Sequence, residues 1–302
     1  MRSRGFKIGL LVGLMCWQAG GALRAAEMRV VGSDLLGAEF SRSLLLAAGR
    51  VELALAVAFD GSRPGLEALR AGRADVALVS FPANEENALN EFSTIPLGWH
   101  RVVALVPVEA PLSQITLPQL AGIFGRDARD DVQRWGELGV TGDWSNSPIK
   151  ALVPVRGTGL ALELFRRLAL GGNALKPLVV SYHPGDDLAL LLRGDSRAVA
   201  IAGAPLAVST PTKVLAVAAQ AGEPAFMPSP ENLDSGDYPL RLPVQAAFAK
   251  ANLPRVLPLL RLLLSEESAE KIDRAGLAAL SVTSRRRELR ELEKKEHEIL
   301  QK

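Results

Sequence analysis

The sequence predicts an α/β protein of two lobes with a binding crevice at the carboxyl ends of its strands. Three observations carry this expectation. Short β-branched runs alternate with longer segments of helical period, the pattern of α/β layering. The 302 residues exceed what one hydrophobic core usually fills, since single cores stop growing beyond about 250–300 residues. The first three expected strands each run into a loop carrying a serine, and ligands of open α/β sheets bind beyond the carboxyl ends of the strands.

Residues 1–26 precede this pattern. Residues 1–7 carry Arg2, Arg4 and Lys7, residues 8–17 are mostly apolar, and small residues follow up to Ala26. Basic, apolar, then small is the order of an export signal. The apolar run is shorter than the about 20 residues a spanning helix needs, so cleavage after Ala25 or Ala26 and release into the periplasm are expected. Cys16, the single cysteine, lies inside that run behind Leu14 and Met15, without the small residue that normally precedes a lipidated cysteine. The mature chain is thus expected to carry no disulfide.

Residues 28–31 read as the first strand, Gly32-Ser33-Asp34 as a turn, and residues 35–49 as a helix with Leu36, Phe40, Leu44 and Ala47 at helical spacing. Residues 51–59 read as the second strand, 60–64 as a loop, 65–71 as a helix and 74–80 as the third strand. Residues 101–108 form a nearly continuous apolar strand, as suits burial on both faces. Residues 117–124 are helical, capped by Thr116 with Pro118 in the first turn. Residues 149–155 make a buried strand, 156–159 a loop, 160–169 a helix, and 199–202 and 214–217 further short strands. The first lobe is expected to comprise residues 27–104 with 212–283, and the second 105–211. From Ser284 the sequence becomes a mixed-charge run, read as a solvated terminal helix whose removal leaves the fold nearly unchanged.

Lys and Arg number 35 against 33 Asp and Glu, a balance that offers no field for nucleic acid, so any anion site is local. The chain contains no G-x-x-x-x-G-K-[ST] loop and no G-x-S-x-G elbow. His100, His183 and His297 are dispersed, without a partner at metal-ligand spacing. Asp186 and Asp187 suit a helix N-terminus, and Trp99, Trp135 and Trp144 suit packing. A hydrolase or transferase is therefore not expected, nor a metal or cofactor. Ser33, Ser62, Ser80 and the Arg156-Gly157-Thr158-Gly159 loop sit at strand-to-helix junctions. There, hydroxyls, backbone N–H groups and the positive end of the helix dipole can surround an anion. Serines at helix starts also serve as plain caps.

Several ordered landmarks carry a family resemblance. They are Val31-Gly32-Ser33, Gly61-Ser62, the run Leu69-Arg70-Ala71-Gly72-Arg73-Ala74-Asp75-Val76-Ala77, residues 112–125 with Thr116-Leu117-Pro118-Gln119-Leu120 and Ile123-Phe124, and Trp135-Gly136-Glu137-Leu138-Gly139. Together they resemble the phosphate-binding branch of the ABC-transporter solute-binding proteins, whose fold is the two-lobed type II periplasmic binding protein with the ligand cleft between lobes. The likeness spans about residues 28–282. It implies an anion held by Ser33 with the backbone at Asp34 and Leu35, by Ser62, by Ser80, and by Arg156, Gly157, Thr158 and Gly159. It also implies inorganic phosphate or a similar oxyanion as ligand, an ABC permease in the inner membrane as partner, and a monomer that binds no nucleic acid. The chain departs from the pattern at Asp34, where threonine is usual, at Phe81, where a charge is common, and in the shortened Arg156 loop. These departures leave open an envelope interaction or sensory subunit that has lost its ligand.

Overall fold

Strand–loop–helix units open the chain because apolar runs too short for a helix alternate with amphipathic ones. The computed structural model describes residues 27–157, 159–183, 188, 191–192, 197–203 and 212–301; the export signal, Cys16, Thr158, Asp186 and Asp187 lie outside them. Strand β1 (Met28–Gly32) passes through a 3-10 turn at Asp34–Leu36 into α1 (Gly37–Arg50). Strand β2 (Leu55–Ala58) leads to α2 (Ser62–Arg70), and β3 (Val76–Val79) follows. α1 turns Phe40, Leu44, Ala47 and Ala48 inward. β1 lies between β2 and β3, parallel to both.

Beyond β3 the sheet becomes antiparallel. Strand β4 (Ser93–Arg101), β12 (Arg241–Phe248) and the short β13 (Ala278–Ala279) complete the order β13-β4-β12-β3-β1-β2 among the described residues. A second sheet runs β10-β5-β9-β7-β8, from β5 (Val103–Pro107), β7 (Lys150–Pro154), β8 (Val180–Tyr182), β9 (Ala198–Ala202) and β10 (Thr212–Val214). Strand β6 (Gln114–Thr116) pairs with β11 (Ala216–Ala218). α3 (Leu117–Phe124) begins with a capping box in which Thr116 and Gln119 bond each other's backbone. α4 (Ala161–Ala169) follows β7. The chain ends in α5 (Pro230–Ser235), α6 (Leu253–Leu263), α7 (Glu266–Arg274) and α8 (Val282–Leu300).

Each sheet forms the centre of one lobe, and the chain crosses between them at Val102 and again at Leu240. The crossings are bonded to each other: Val102 N–H donates to the Leu240 carbonyl at 2.9 Å, and the buried Tyr238 hydroxyl donates to the Val102 carbonyl at 2.6 Å. One apolar cluster runs through both lobes, from Met28 and Val30 through Phe124 and Phe165 to Leu292. Smaller clusters cover the other faces, around Leu105, Leu152 and Tyr182 and around Leu66, Leu69 and Phe81.

Several sequence-based boundaries are corrected. The expected strand over residues 51–59 contracts to Leu55–Ala58, because α1 continues to Arg50 and the chain must reverse at Glu52, which adopts a positive φ of 56°. The second helix begins at Ser62 rather than Gly65, with Pro64 in its first turn, where its missing N–H costs nothing. The single strand over 101–108 is two strands in different sheets, divided at Val102. Residues 103–104 and 212–218, assigned by sequence to the first lobe, pair with strands of the second. The charged C-terminal run is a packed helix: Leu292 is 2% exposed within the main core, and Leu289 and Ile299 pack against it.

Candidate functional site

The three serine loops are brought together by the parallel strands that precede them. At the end of β1, Gly32 adopts φ 147°, and a Cβ there would fall 1.9 Å from the Leu78 carbonyl oxygen. The absent side chain lets Ser33 N–H donate to that oxygen at 2.7 Å, and Gly61 N–H to the Gly32 carbonyl at 2.8 Å. Ser80 N–H donates to Ser62 Oγ at 3.0 Å. Ser33, only 1% exposed, accepts from Leu35 N–H at 3.3 Å and so caps the 3-10 turn. Ser33 and Ser62 therefore already work as acceptors, while each hydroxyl keeps a proton to donate. Ser80 Oγ is different: it is buried and has no hydrogen-bond partner among the described residues.

Across from these loops stands α4. A cleft of about 690 Å³ lies between the lobes, walled by Leu35, Ser80 and Leu242 from the first and by Leu160, Glu163, Arg166 and Arg167 from the second. Two arginines against one glutamate make this wall net basic. Arg166 is committed to its own helix end, donating to Glu163 at 3.0 Å and to the Gly172 and Asn173 carbonyls at 3.2 and 3.3 Å. Arg167 reaches across the lobes to Glu85 at 3.4 Å, which also pairs with Arg63. Leu160, at the N-cap of α4, makes no side-chain cap hydrogen bond, so among the described residues the capping side chain is missing at this helix start.

The sequence-derived residues are distributed unevenly over this cleft. Ser80 and Leu35 line it. Ser33 and Ser62 stand behind them, tied into the same hydrogen-bonded corner, and Asp34 is exposed in the 3-10 turn. Arg156 is turned outward: its side chain is 72% exposed and 3.6 Å from Glu163. Gly157 and Gly159, at φ 82° and 138°, give the loop a path few other residues adopt. Thr158 lies outside the described residues. Sequence reading missed Glu163, Arg166, Arg167 and Leu242. Glu163 and Arg166 were detectable as a helical i,i+3 pair on one face, whereas nothing local marks Leu242.

A further polar group lies on β4, opposite the cleft-lining Leu242. His100 on β4 is 8% exposed, its Nε2 has no partner among the described residues, and burial pushes its pKa down to about 4 from 6.5. A histidine lowered in the folded state takes up its proton more readily when unfolded. Stability should therefore be complete above about pH 6.5 and decline as pH falls toward 4, by about 3 kcal/mol from this group. Urea unfolding at pH 7 and pH 4.5 measures this, and His100→Leu should remove that part of the pH dependence. An unchanged pH profile in the variant would show that other groups govern acid stability.

Comparison with known proteins agrees with this architecture. A family model described as "PBP superfamily domain" matches residues 28–253. The phosphate-binding protein PstS of Pseudomonas aeruginosa is 25% identical over 230 residues, covering 72% of this chain and 68% of that protein. PstS from Borrelia burgdorferi superposes with a TM-score of 0.70 at 13% identity, over 85% of this chain and 99% of that one. A possible phosphate-binding protein from Planctomyces limnophilus gives 0.64 at 18% identity, over 91% and 99%. At such identities the two structures share the fold alone.

Proposed function

The chain belongs to the PBP superfamily, as a PstS-like type II periplasmic binding protein and hence a solute-binding protein rather than an enzyme, and from that premise we propose that its solute is a small oxyanion, inorganic phosphate foremost. The observation that carries this reading is the corner where three hydroxyl-bearing loops are bonded together, with the unpartnered Ser80 hydroxyl beside a cleft whose opposite wall is basic. A tetrahedral oxyanion supplies many acceptors and no fixed donor, so it suits hydroxyls, backbone N–H groups and guanidinium together. The uncapped start of α4 adds N–H groups and partial positive charge. Arg156, beside the cleft-lining Glu163, exchanges that carboxylate for the anion as the lobes close. Closure completes the shell and excludes water.

We further place the protein in the periplasm, delivering its solute to an ABC permease. The order of residues 1–26 and the relatives named PstS support this, and among the described residues no helix is long and apolar enough to cross a membrane. Calorimetry of the purified protein against phosphate, sulfate and molybdate tests the ligand. Phosphate should bind, and Ser80→Ala should weaken binding about fivefold to tenfold, the value of one neutral hydrogen bond. Arg156→Ala should cost tenfold or more, as befits a charge-assisted bond. Binding to none of the three anions would reject the oxyanion reading.

A further inference from the structure

Two of the side-chain atoms buried without a hydrogen-bond partner among the described residues, Ser80 Oγ and His100 Nε2, belong to the same region of the first sheet. The strand register relates them. His100 on β4 stands opposite Leu242 on β12, and opposed residues of an antiparallel pair project from one face. On the other side of β12, Gln245 stands opposite Val79, so the next step brings Val244 beside Ser80. Val244 and Leu242, two residues apart, share a face. Ser80 and Leu242 both line the interlobe cleft. His100 therefore shares the sheet face of Ser80 and the cleft-lining Leu242, its backbone about 12 Å from that of Ser80, two strand spacings across and two residues along.

Its neighbours in β4 sharpen the contrast. Trp99 Nε1–H donates to Asp234 at 2.9 Å, and Arg101 donates to the Leu277 carbonyl at 2.9 Å. Strand alternation turns both to the opposite face, where each makes a hydrogen bond, although Arg101 Nε is also buried without a partner among the described residues. His100, between them, has a buried ring nitrogen with none. In a neutral imidazole one ring nitrogen donates and the other accepts, and leaving either buried and unpaired is unfavourable unless something else occupies it. A leucine would fill the same space beside Leu242 without that penalty.

We infer that His100 is a specificity-determining contact of the cleft, its Nε2–H donating to a bound oxyanion alongside the Ser80 hydroxyl. This assignment rests on the oxyanion reading above. The imidazole adds directional binding without adding charge, which complements the basic wall of α4.

The test uses ¹⁵N-histidine-labelled protein titrated with inorganic phosphate. The chain has three histidines, so the His100 signals are assigned by their loss in His100→Leu. The Nε2 resonance of His100 should move on phosphate addition. His100→Leu should bind phosphate at least tenfold more weakly and yet unfold at a higher temperature than wild type without phosphate, because the unpaired nitrogen is gone. His100→Gln, which returns an N–H near the same place, should recover most of the affinity. If wild type binds phosphate but the His100 resonance stays fixed, or His100→Leu binds as tightly, the assignment of His100 is overturned while the oxyanion reading stands. If wild type binds no oxyanion, both fall. Should His100→Leu fail to fold, the wild-type resonance decides by itself.

Discussion

Removal of residues 284–302 should abolish cooperative folding or lower the melting temperature severely. The charge of this segment belongs to its outer face. Its inner face places Leu292 in the main core at 2% exposure, with Leu289 and Ile299 packed against that core. The start of α8 is also built in: Ser281 Oγ accepts from Ser284 N–H, and Ser281 N–H donates to Asp234 at 3.0 Å. Truncation would leave the side of α6 that packs against α8 without cover. Leu292→Ala alone should cost 2–5 kcal/mol, the usual range for a leucine removed from a core. The exposed ion pair Arg261–Glu293 at 3.2 Å should add little. Leu300→Ala, at a position 69% exposed, should change stability by less than about 0.5 kcal/mol. Urea unfolding of the three variants measures the order. A truncated protein that unfolds cooperatively near the wild-type midpoint would show that α8 is only an appendage.

Gly32→Ala should be at least as damaging, by a different route. The added carbon would overlap the Leu78 carbonyl oxygen at 1.9 Å and approach the Leu78 nitrogen at 2.8 Å, and backbone atoms in the middle of a sheet cannot step aside as a side chain can. The φ of 147° is also one that L-residues rarely adopt. Relief would require β1 to part from β3, breaking the Ser33–Leu78 hydrogen bond that ties the first serine loop to the third strand. The expected cost exceeds about 4 kcal/mol, with anion binding lost in any protein that still folds. Gly157→Ala is the comparison: φ is 82° but nothing lies within 4 Å of the added carbon, so only the backbone penalty of about 1–2 kcal/mol remains. Denaturant midpoints for the two variants decide. Similar midpoints would mean that the β1–β3 contact is not the determinant.

How far the site could be read in advance follows from the range of the interactions that make it. Ser33, Ser62 and Ser80 were visible because each occupies a strand-to-helix junction, a local feature of sequence. Their mutual hydrogen bonds depend on strand order and were not. Arg156 drew attention as a charge next to two glycines, yet its rotamer is set by Glu163, seven residues on. Arg167 had no local signal because its partner, Glu85, lies in the other lobe. Strands β4 and β12 each hold a proline, which usually argues against a central strand. The pairing explains the tolerance. Pro243 lies beyond the stretch of β12 that β3 covers, and Pro96 beyond the stretch of β4 that β13 covers, so each proline has an open side.

The sequence by itself determined the layered α/β class, the capped start of α3 at Thr116, and the three glycine–serine or strand-end serine loops. All of these follow from periodicity, caps and backbone freedom within a few residues. The tertiary structure decided which sheet each strand joined, as with β10 and β11, which directly follow one another yet pair with β5 and β6 respectively. It also decided that a charged terminal run would be buried along one edge, and that Ser80 at the cleft and His100 on the same sheet face would each keep a buried polar atom without a partner among the described residues. A chain's local preferences specify the elements, but the burial of each face and the pairing of each polar atom depend on residues far away in sequence. For that reason the binding corner could be anticipated from the sequence, while the opposing wall and the histidine of β4 could not.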